Sequence, residues 1–106
     1  MVHYIQAEYT DPNLSVQQLA EKFDMTLPYL SREFKKAKGI GLLSYINSYR
    51  IEKAKAILLA NDNITLSNLA TQVGYISSQT LIRIFKRYVN MTPGQYRLSH
   101  GKTALE

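Results

Sequence analysis

Cysteine is missing from all 106 residues of the chain. Its absence excludes disulfides, thiolate metal sites and a cysteine nucleophile. The two histidines, His3 and His100, lie at opposite ends of the sequence, and no paired acids stand beside a plausible base. We therefore expect neither a metal nor a cofactor, and an enzyme is the least favoured interpretation of the chain.

Long apolar runs are missing as well. No stretch approaches the roughly 18 residues that a membrane-spanning helix needs, and residues 1–4 lack the charged-then-apolar order of a signal peptide. We therefore expect an intracellular, cytoplasmic protein. Glycine and proline number only 5 and 3, and 45% of the residues are hydrophobic. This composition is typical of one compact domain, or of two very small ones that share an interface.

Acidic residues are scarce in the C-terminal part of the chain. Beyond Asp62 the one acid is Glu106, and the same stretch carries the basic residues Arg83, Lys86, Arg87, Arg97 and Lys102. The net charge of the whole chain is +5. Such a balance favours a polyanionic partner, although a solvated basic face accounts for the charge equally well.

The chain does contain an internal repeat. Residues 14–36 and 64–87 share one pattern, at an offset of 50 before a turn and 51 after it. Leu19-Ala20 matches Leu69-Ala70, for example, and Phe34 matches Phe85. The extra residue of the second copy falls in the turn, where a change of length is tolerated.

The first half of each copy predicts a short amphipathic helix. Apolar residues recur there at i, i+3, i+4 and i+7, as Val16, Leu19, Ala20 and Phe23, and as Leu66, Leu69, Ala70 and Val73. Ser15 and Thr65 are suited to cap these helices, and Ser15 with Gln18 predicts a capping box. Asp24 and Gly74 are the stop signals.

The second half of each copy predicts another helix, which starts within three or four residues. Thr26 and Ser77 are the expected caps, and the helices should end at Gly39 and Asn90, residue types that readily take the left-handed conformation. The expected inward-facing residues are Leu30 and Phe34 in the first copy, and Leu81, Phe85 and Tyr88 in the second. Helices joined by so tight a turn cross steeply and leave the second one projecting, which is the helix-turn-helix shape.

Residues 42–60 contain no glycine or proline and predict one continuous helix, roughly 27 Å long. Residues 61–63 should break it. A short helix is expected from about Val2 to Tyr9, and a last one from Thr92-Pro93, with Thr92 as its cap.

These elements together predict an all-α fold of about seven helices. We expect a single domain over residues 1–106, made of two helix-turn-helix subdomains and a linker helix. The first subdomain is expected at 1–41, the linker helix at 42–60 and the second subdomain at 61–106.

The outer faces of the two projecting helices carry residues suited to read DNA bases. Arginine can bond bidentate to guanine O6 and N7 from a helix in the major groove, so Arg32 is the best candidate on the first helix, assisted by Ser31. An ion pair of Arg32 with Glu33, or a phosphate contact, is the alternative. On the second helix Gln79 and Arg83 share a face at i, i+4 and suit adenine and guanine edges.

Three further features have two interpretations each. Ile82 contacts either a thymine methyl group or the core, with the core favoured. Basic residues in the last turns of the projecting helices contact either phosphates or the negative helix end. The eight tyrosines suggest base stacking on single strands, but Tyr45, Tyr88 and Tyr96 occupy core-type positions, which disfavours it.

The expected backbone contacts combine basic side chains with helix N-termini, which bind anions. They are Ser15, Tyr29, Lys35, Lys36, Thr65, Ser78, Lys86, Arg87 and Thr92.

Four motifs resemble a known family. They are R-I-E-K-A-K-A-I-L at 50–58, L-A-T-Q-V-G-Y at 69–75, R-I-F-K-R at 83–87 and T-P-G-Q-Y-R at 92–97. Over about residues 5–98 the chain is similar to the DNA-binding domain of the AraC/XylS transcription regulators. The second unit especially resembles the single-domain stress and multidrug regulators of that family.

The resemblance implies a bacterial transcription factor whose two units enter successive major grooves on one face of an operator. Mapped by motif, the expected base-reading residues are Ser31, Arg32, Gln79, Thr80 and Arg83. It also implies RNA polymerase as a partner for an activator, and an effector-binding, often dimerising domain that has no counterpart in these 106 residues. We expect the isolated domain to be monomeric and associated with the nucleoid. The alternative is a helical protein-interaction module without DNA readout.

Overall fold

The computed structural model describes residues 1–61 and 63–100 of the chain. Asp62 and the basic residue Lys102, with the end of the predicted second subdomain, lie outside the described residues. The described part forms seven α-helices and no strand: α1 Val2–Glu8, α2 Val16–Lys22, α3 Leu27–Lys38, α4 Leu42–Ala60, α5 Leu66–Val73, α6 Ser78–Val89 and α7 Pro93–His100. The predicted all-α fold of seven helices is confirmed.

Five of the seven helices in the described part begin at the hydroxyl residues predicted to cap them. The side chains of Ser15, Thr26, Thr65 and Ser77 each accept a hydrogen bond from a backbone amide of the first helical turn. Thr92 forms a reciprocal pair with Gln95, because its hydroxyl accepts from the Gln95 amide at 3.1 Å and its own amide donates to the Gln95 side chain at 2.9 Å.

The capping box predicted for Ser15 and Gln18 is only half formed. The Ser15 hydroxyl accepts from the Gln18 amide at 3.1 Å. The Gln18 side-chain oxygen is instead buried, with no hydrogen-bond partner among the described residues. The side chain of Gln18 has therefore turned toward the protein rather than back to the first amide of the helix.

Four of the described helices, α2, α3, α5 and α6, end close to a residue in the left-handed backbone conformation. Gly39, Gly74 and Asn90 follow α3, α5 and α6 with φ angles of 82°, 94° and 65°. Asp24, just beyond α2, has a φ of 55°. All four stop signals predicted from the sequence thus lie where a helix stops.

The described part of the chain contains two hydrophobic cores, and α4 contributes to both. Leu42 and Ile46, near its start, pack into the core formed with α1, α2 and α3. Ile51, Ala54 and Leu58, further along, pack into the core formed with α5, α6 and α7. The first part of α4 therefore belongs to the first helical bundle, and the rest of it belongs to the second.

A pair of aromatic rings recurs at equivalent positions of the two bundles. Phe34 of α3 meets Tyr45 of α4 edge-on at 5.4 Å, and Phe85 of α6 meets Tyr96 of α7 in the same way at 5.7 Å. The start of α4 thus packs its tyrosine against α3 of the first unit, and α7 packs its tyrosine against α6 of the second unit in the same way. The resulting molecule is elongated, measuring 51 × 23 × 22 Å.

The prediction that Tyr88 faces the core is wrong. Tyr88 is 37% exposed, so it does not face inward with Leu81 and Phe85. Val89, one turn beyond Phe85, packs against the second core in its place, and Ile84 completes the buried stripe. None of the helices in the described part combines the length and the apolar character that a bilayer-spanning segment requires.

Candidate nucleic-acid interface

The outer face of α3 is free for contact with a partner. Leu30 and Phe34 are buried, and this places Ser31, Arg32 and Lys35 on the exposed side of the helix. The alternative ion pair of Arg32 with Glu33 is not formed. Within residues 1–61 and 63–100 the ion pair present is Lys55–Glu52, at 3.0 Å.

The outer face of α6 is also exposed and carries no acid. Gln79, Arg83 and Lys86 follow one another at i, i+4 and i+7, which puts them on one side of the helix, and all three are exposed. Leu81 and Phe85 point into the core on the opposite side. This surface therefore presents an amide and two cations together.

Thr80 and Ile82 lie between these two sides and are half-buried. The Thr80 hydroxyl is 3.1 Å from the hydroxyl of Ser77, and the Thr80 amide donates to the same oxygen. Part of the hydrogen-bonding capacity of Thr80 is thus used at the start of the helix. The half-burial of Ile82 leaves both of its predicted roles open.

A cleft of about 350 Å³ separates α6 from α4. The side chains of Thr80, Arg83 and Arg87 line it from α6, and those of Leu43, Asn47 and Arg50 line it from α4. Two arginines of the projecting helix therefore stand at the junction between that helix and the linker.

The floor of this cleft contains Arg50, the buried charged side chain of the described residues, which is 6% exposed. Burial lowers the pKa of Arg50 from its usual value, and the nearby Tyr75 and Asp11 oppose that shift. Burial also raises the pKa of Tyr75 above its usual value, against the effect of Arg50. The neutral Tyr75 hydroxyl donates to Asn47 Oδ1 at 2.8 Å.

The predicted backbone contacts fall into two groups. Lys35, Lys36, Lys86 and Arg87 are exposed in the last turns of α3 and α6, together with the half-exposed Tyr29 in the first turn of α3. Ser15, Thr65 and Thr92 begin other helices, and their hydroxyls are bonded to their own helix amides. Ser78 is half-buried at the start of α6.

Two exposed apolar residues next to α6 were missed by the sequence interpretation. Ile76, in the turn before α6, is 83% exposed, and Leu43 of α4 is 59% exposed. Both line the cleft. An apolar residue between two helices, such as Ile76, is typical of a core position, and Leu43 directly follows the buried Leu42 in α4, so the pattern alone offered no sign of this exposure.

The contact of Arg50 was missed as well, although a signal was present. Arg50 lies in the middle of an otherwise apolar helix face, next to Ile46, Ile51 and Ala54. A charged residue on a buried face must find hydrogen-bond partners, and the sequence did not show which ones.

Known proteins resemble this chain over most of its length. A family model described as a helix-turn-helix domain matches residues 19–99. An uncharacterized HTH-type transcriptional regulator of Bacillus subtilis strain 168, YtdP, is 35% identical over 97 residues, which is 92% of this chain and 12% of that protein. The chain thus spans about an eighth of the length of this curated relative.

Solved structures share the arrangement of helices. The C-terminal domain of the two-component response regulator yesN from Fusobacterium nucleatum superposes with a TM-score of 0.86 and 39% identity, over 90% of this chain and 91% of that one. The DNA-binding domain of AdpA, determined in complex with a target DNA, has the same fold, with a TM-score of 0.84, 21% identity and coverage of 93% and 87%. The chain therefore belongs to the AraC-type helix-turn-helix family, the DNA-binding domains of bacterial transcription regulators.

Proposed function

We propose that the two units read two half-sites in consecutive major grooves on one face of the DNA, with α3 and α6 as the recognition helices. The supporting observation is that both helices expose an arginine-bearing face at equivalent points of two repeated bundles. Successive major-groove positions lie about 34 to 36 Å apart. A molecule 51 Å long is long enough to span that distance.

The proposed base contacts follow from the chemistry of the exposed faces. Arg32 and Arg83 each offer a planar fork to guanine, and Gln79 offers a donor and an acceptor to adenine. Ser31 adds a short polar contact beside Arg32. Thr80 would contribute through its methyl group or its remaining hydroxyl capacity.

The proposed phosphate contacts set the register of the protein on the duplex. Lysine and arginine in the last turns of α3 and α6 would hold the strands that flank each groove. Tyr29 and Ser78 would do so near the helix starts, and the amides at the N-termini capped by Ser15, Thr65 and Thr92 would bind further phosphates.

Selection of bound duplexes from a random pool tests this proposal directly. We expect a two-part motif whose half-sites have centres about 10 to 10.5 base pairs apart. A single contiguous motif that one recognition helix can cover would contradict reading in two grooves. A pool that shows no enrichment would contradict sequence readout altogether.

A salt titration separates this function from that of a protein-interaction module. Each phosphate neutralised adds about 0.9 to the slope of log affinity against log salt, so the proposed set of contacts predicts a steep fall in DNA affinity. A module whose projecting helices dock another protein predicts no such dependence. The exposed cations on α3 and α6 favour the DNA function.

The role in the cell extends the same proposal. We infer that the chain is the DNA-binding part of a longer regulator, since the relative from Bacillus subtilis is about eight times as long. The domain would bind as a monomer at the nucleoid in the cytoplasm and carry no catalysis of its own. RNA polymerase would be a partner if the regulator activates transcription, and transcription in vitro from a promoter that carries the selected site tests this.

A further inference from the structure

The buried residues of the two helix-turn-helix units form separate clusters that are joined along the continuous helix α4, and side chains near the middle of that helix are placed to fix how the units face each other. The core residues of the first unit reach α4 no further than Ile46, and those of the second begin at Ile51. Arg50 lies at this boundary. Its side chain is where the first unit, the linker helix and the second unit meet.

Arg50 binds the first unit through two backbone carbonyls. Its Nε donates to the carbonyl oxygen of Tyr9 at 3.0 Å, and its Nη2 donates to that of Asp11 at 2.9 Å. Both acceptors lie in the connection between α1 and α2. Two donors in a fixed planar group hold that connection in one orientation relative to α4.

The same guanidinium also faces the second unit. It lies 5.2 Å from the centre of the Tyr75 ring, a distance at which a cation is attracted to an aromatic face. Tyr75 belongs to the turn that leads into α6, and its hydroxyl is bonded to Asn47 of α4. The turn is thus tied to α4 through both Arg50 and Asn47.

The turn of the second unit also touches the first unit directly. A Cβ atom at Gly74 would overlap the carbonyl oxygen of Tyr9, the oxygen that accepts from Arg50. The Tyr9 ring in turn packs against the second core and meets Tyr49 edge-on at 5.1 Å. The absence of a side chain at Gly74 therefore lets the two units come into contact.

We propose that this cluster, the Arg50 latch of Tyr9, Asp11, Arg50, Gly74 and Tyr75, holds the two recognition helices in one mutual orientation and so sets the half-site spacing that the protein accepts. The inference rests on the proposed reading of two grooves. Arg50 is a positioning residue here, since its side chain is buried and acts through the elements it joins.

If the latch acts in this way, its disruption should lower DNA affinity by an amount that depends on how many half-sites the DNA carries. Two linked binding units gain about 10²–10⁴ in affinity over one unit when their geometry fits the target. Without the latch each unit keeps its own core and its own outer face. Two units without a fixed orientation would bind single half-sites as before. Their affinity for the full site would rise less above that for a half-site, and they would tolerate other spacings between the half-sites.

The first experiment measures affinity of the wild-type protein, Arg50→Met and Arg50→Lys for the selected duplex and for duplexes with one half-site scrambled. For Arg50→Met we expect a roughly tenfold or greater loss on the full site and less than a twofold change on each half-site. Lysine keeps the charge but lacks the planar fork, so Arg50→Lys should lose most of the same gain in affinity for the full site.

Arg97→Met is the matched control, because Arg97 donates to the Ile64 carbonyl within the second unit at 3.1 Å. Its ratio of full-site to half-site affinity should stay that of the wild type.

The outcomes separate the latch from the function on which it rests. If the wild-type protein gains nothing from joining the half-sites, reading in two grooves is wrong. If the wild type binds the full site more tightly than a half-site, and both Arg50 variants keep that difference in affinity and the preferred spacing, the proposal of the latch is wrong. Equal losses on full sites and half-sites would also overturn it, since they would show a structural role confined to folding.

A second measurement needs no DNA. Because the chain lacks cysteine, spin labels can be placed at Glu33→Cys and Gln72→Cys, two exposed positions on α3 and α5. We expect a narrow distribution of distances between the labels with Arg50 and a broader one with Arg50→Lys, at an unchanged helical circular dichroism signal. An unchanged distribution would overturn the latch.

Discussion

The two helix-turn-helix units share a sequence pattern, yet they are joined to the linker helix to different extents. In the second unit α5, α6 and α7 all pack against α4, whereas in the first unit the principal contact comes from α3. The second core also contains more buried residues than the first. A repeated pattern thus specifies the same local shape twice, while the packing of each copy against the rest of the chain differs.

The difference is sharpest in the two turns. The first turn places Asp24 in the left-handed conformation on an exposed surface. The second places Gly74 there, buried against the connection between α1 and α2. The first turn therefore needs only a residue that tolerates a positive φ, while the second needs a residue without a side chain.

The largest expected effect is on stability, from Gly74→Ala. The positive φ alone costs an L-residue about 1–2 kcal/mol, and forcing a methyl group into an occupied space costs about 1–3 kcal/mol more. We expect the free energy of unfolding in urea to fall by about 2–5 kcal/mol. Gly39→Ala is the control, because Gly39 has φ 82° with open space around it, and should cost only about 1–2 kcal/mol. Equal losses would show that contact between the units does not constrain Gly74.

The next effect is on binding, from Arg83→Ala. We expect a loss of about 1–3 kcal/mol on the selected duplex and relaxed preference at one base position. Lys86→Ala should weaken all sequences evenly and reduce the salt slope by about one. Arg32→Ala compares the first unit with the second by the same assay. The assignment of Arg83 would be refuted by equal losses on cognate and random duplexes.

A smaller effect on stability is expected at the capped helix starts, where the pair of Thr92 and Gln95 forms two hydrogen bonds and Ser15 forms one. Thr92→Ala removes the hydroxyl that accepts from the Gln95 amide, and Gln95→Ala removes the side chain that accepts from the Thr92 amide. The double variant therefore loses both bonds and should lower the free energy of unfolding by about 1–2 kcal/mol. Ser15→Ala removes one bond and should cost about 0.5–1 kcal/mol. Thermal or urea unfolding measures both. A larger loss for Ser15→Ala would mean that the first unit depends on its cap more than the second does.

The smallest effect is expected for Asp24→Gly. Glycine relieves the positive φ, but it also gives the unfolded chain more freedom, by about 0.4–1 kcal/mol. We expect these terms to cancel to within about 0.5 kcal/mol. The reverse exchange, Gly74→Asp, should destabilise at least as much as Gly74→Ala. If both exchanges are tolerated equally, the two turns are equivalent and the comparison fails.

Much of the fold could be predicted because its signals are local. Ser15, Thr26, Thr65 and Ser77 act on amides within three residues, and the stop at Asn90 is a property of that residue and its neighbours. The exposed faces of Arg32 and Arg83 followed from assigning the other helix face to the core. Their base contacts remain predictions, as do the boundaries of the subdomains.

Other features depended on residues far apart in the sequence. The exposure of Tyr88 could not be predicted, since the helical period equally allows Ile84 and Val89 to fill the core. The exposed Ile76 gave no signal because an apolar residue in a short turn is usually buried. The partners of Arg50 lie about 40 residues earlier, and the role of Gly74 depends on the same connection.

By itself, the sequence determined seven helices, their capped ends, two repeated units and an arginine on each projecting face. It could do so because helix periodicity, capping and turn chemistry act over a few residues. Only the tertiary structure decided where the two cores divide along α4, what the buried guanidinium binds and why one turn must be glycine. Those features depend on which distant segments come into contact, and that is settled by packing of the whole chain.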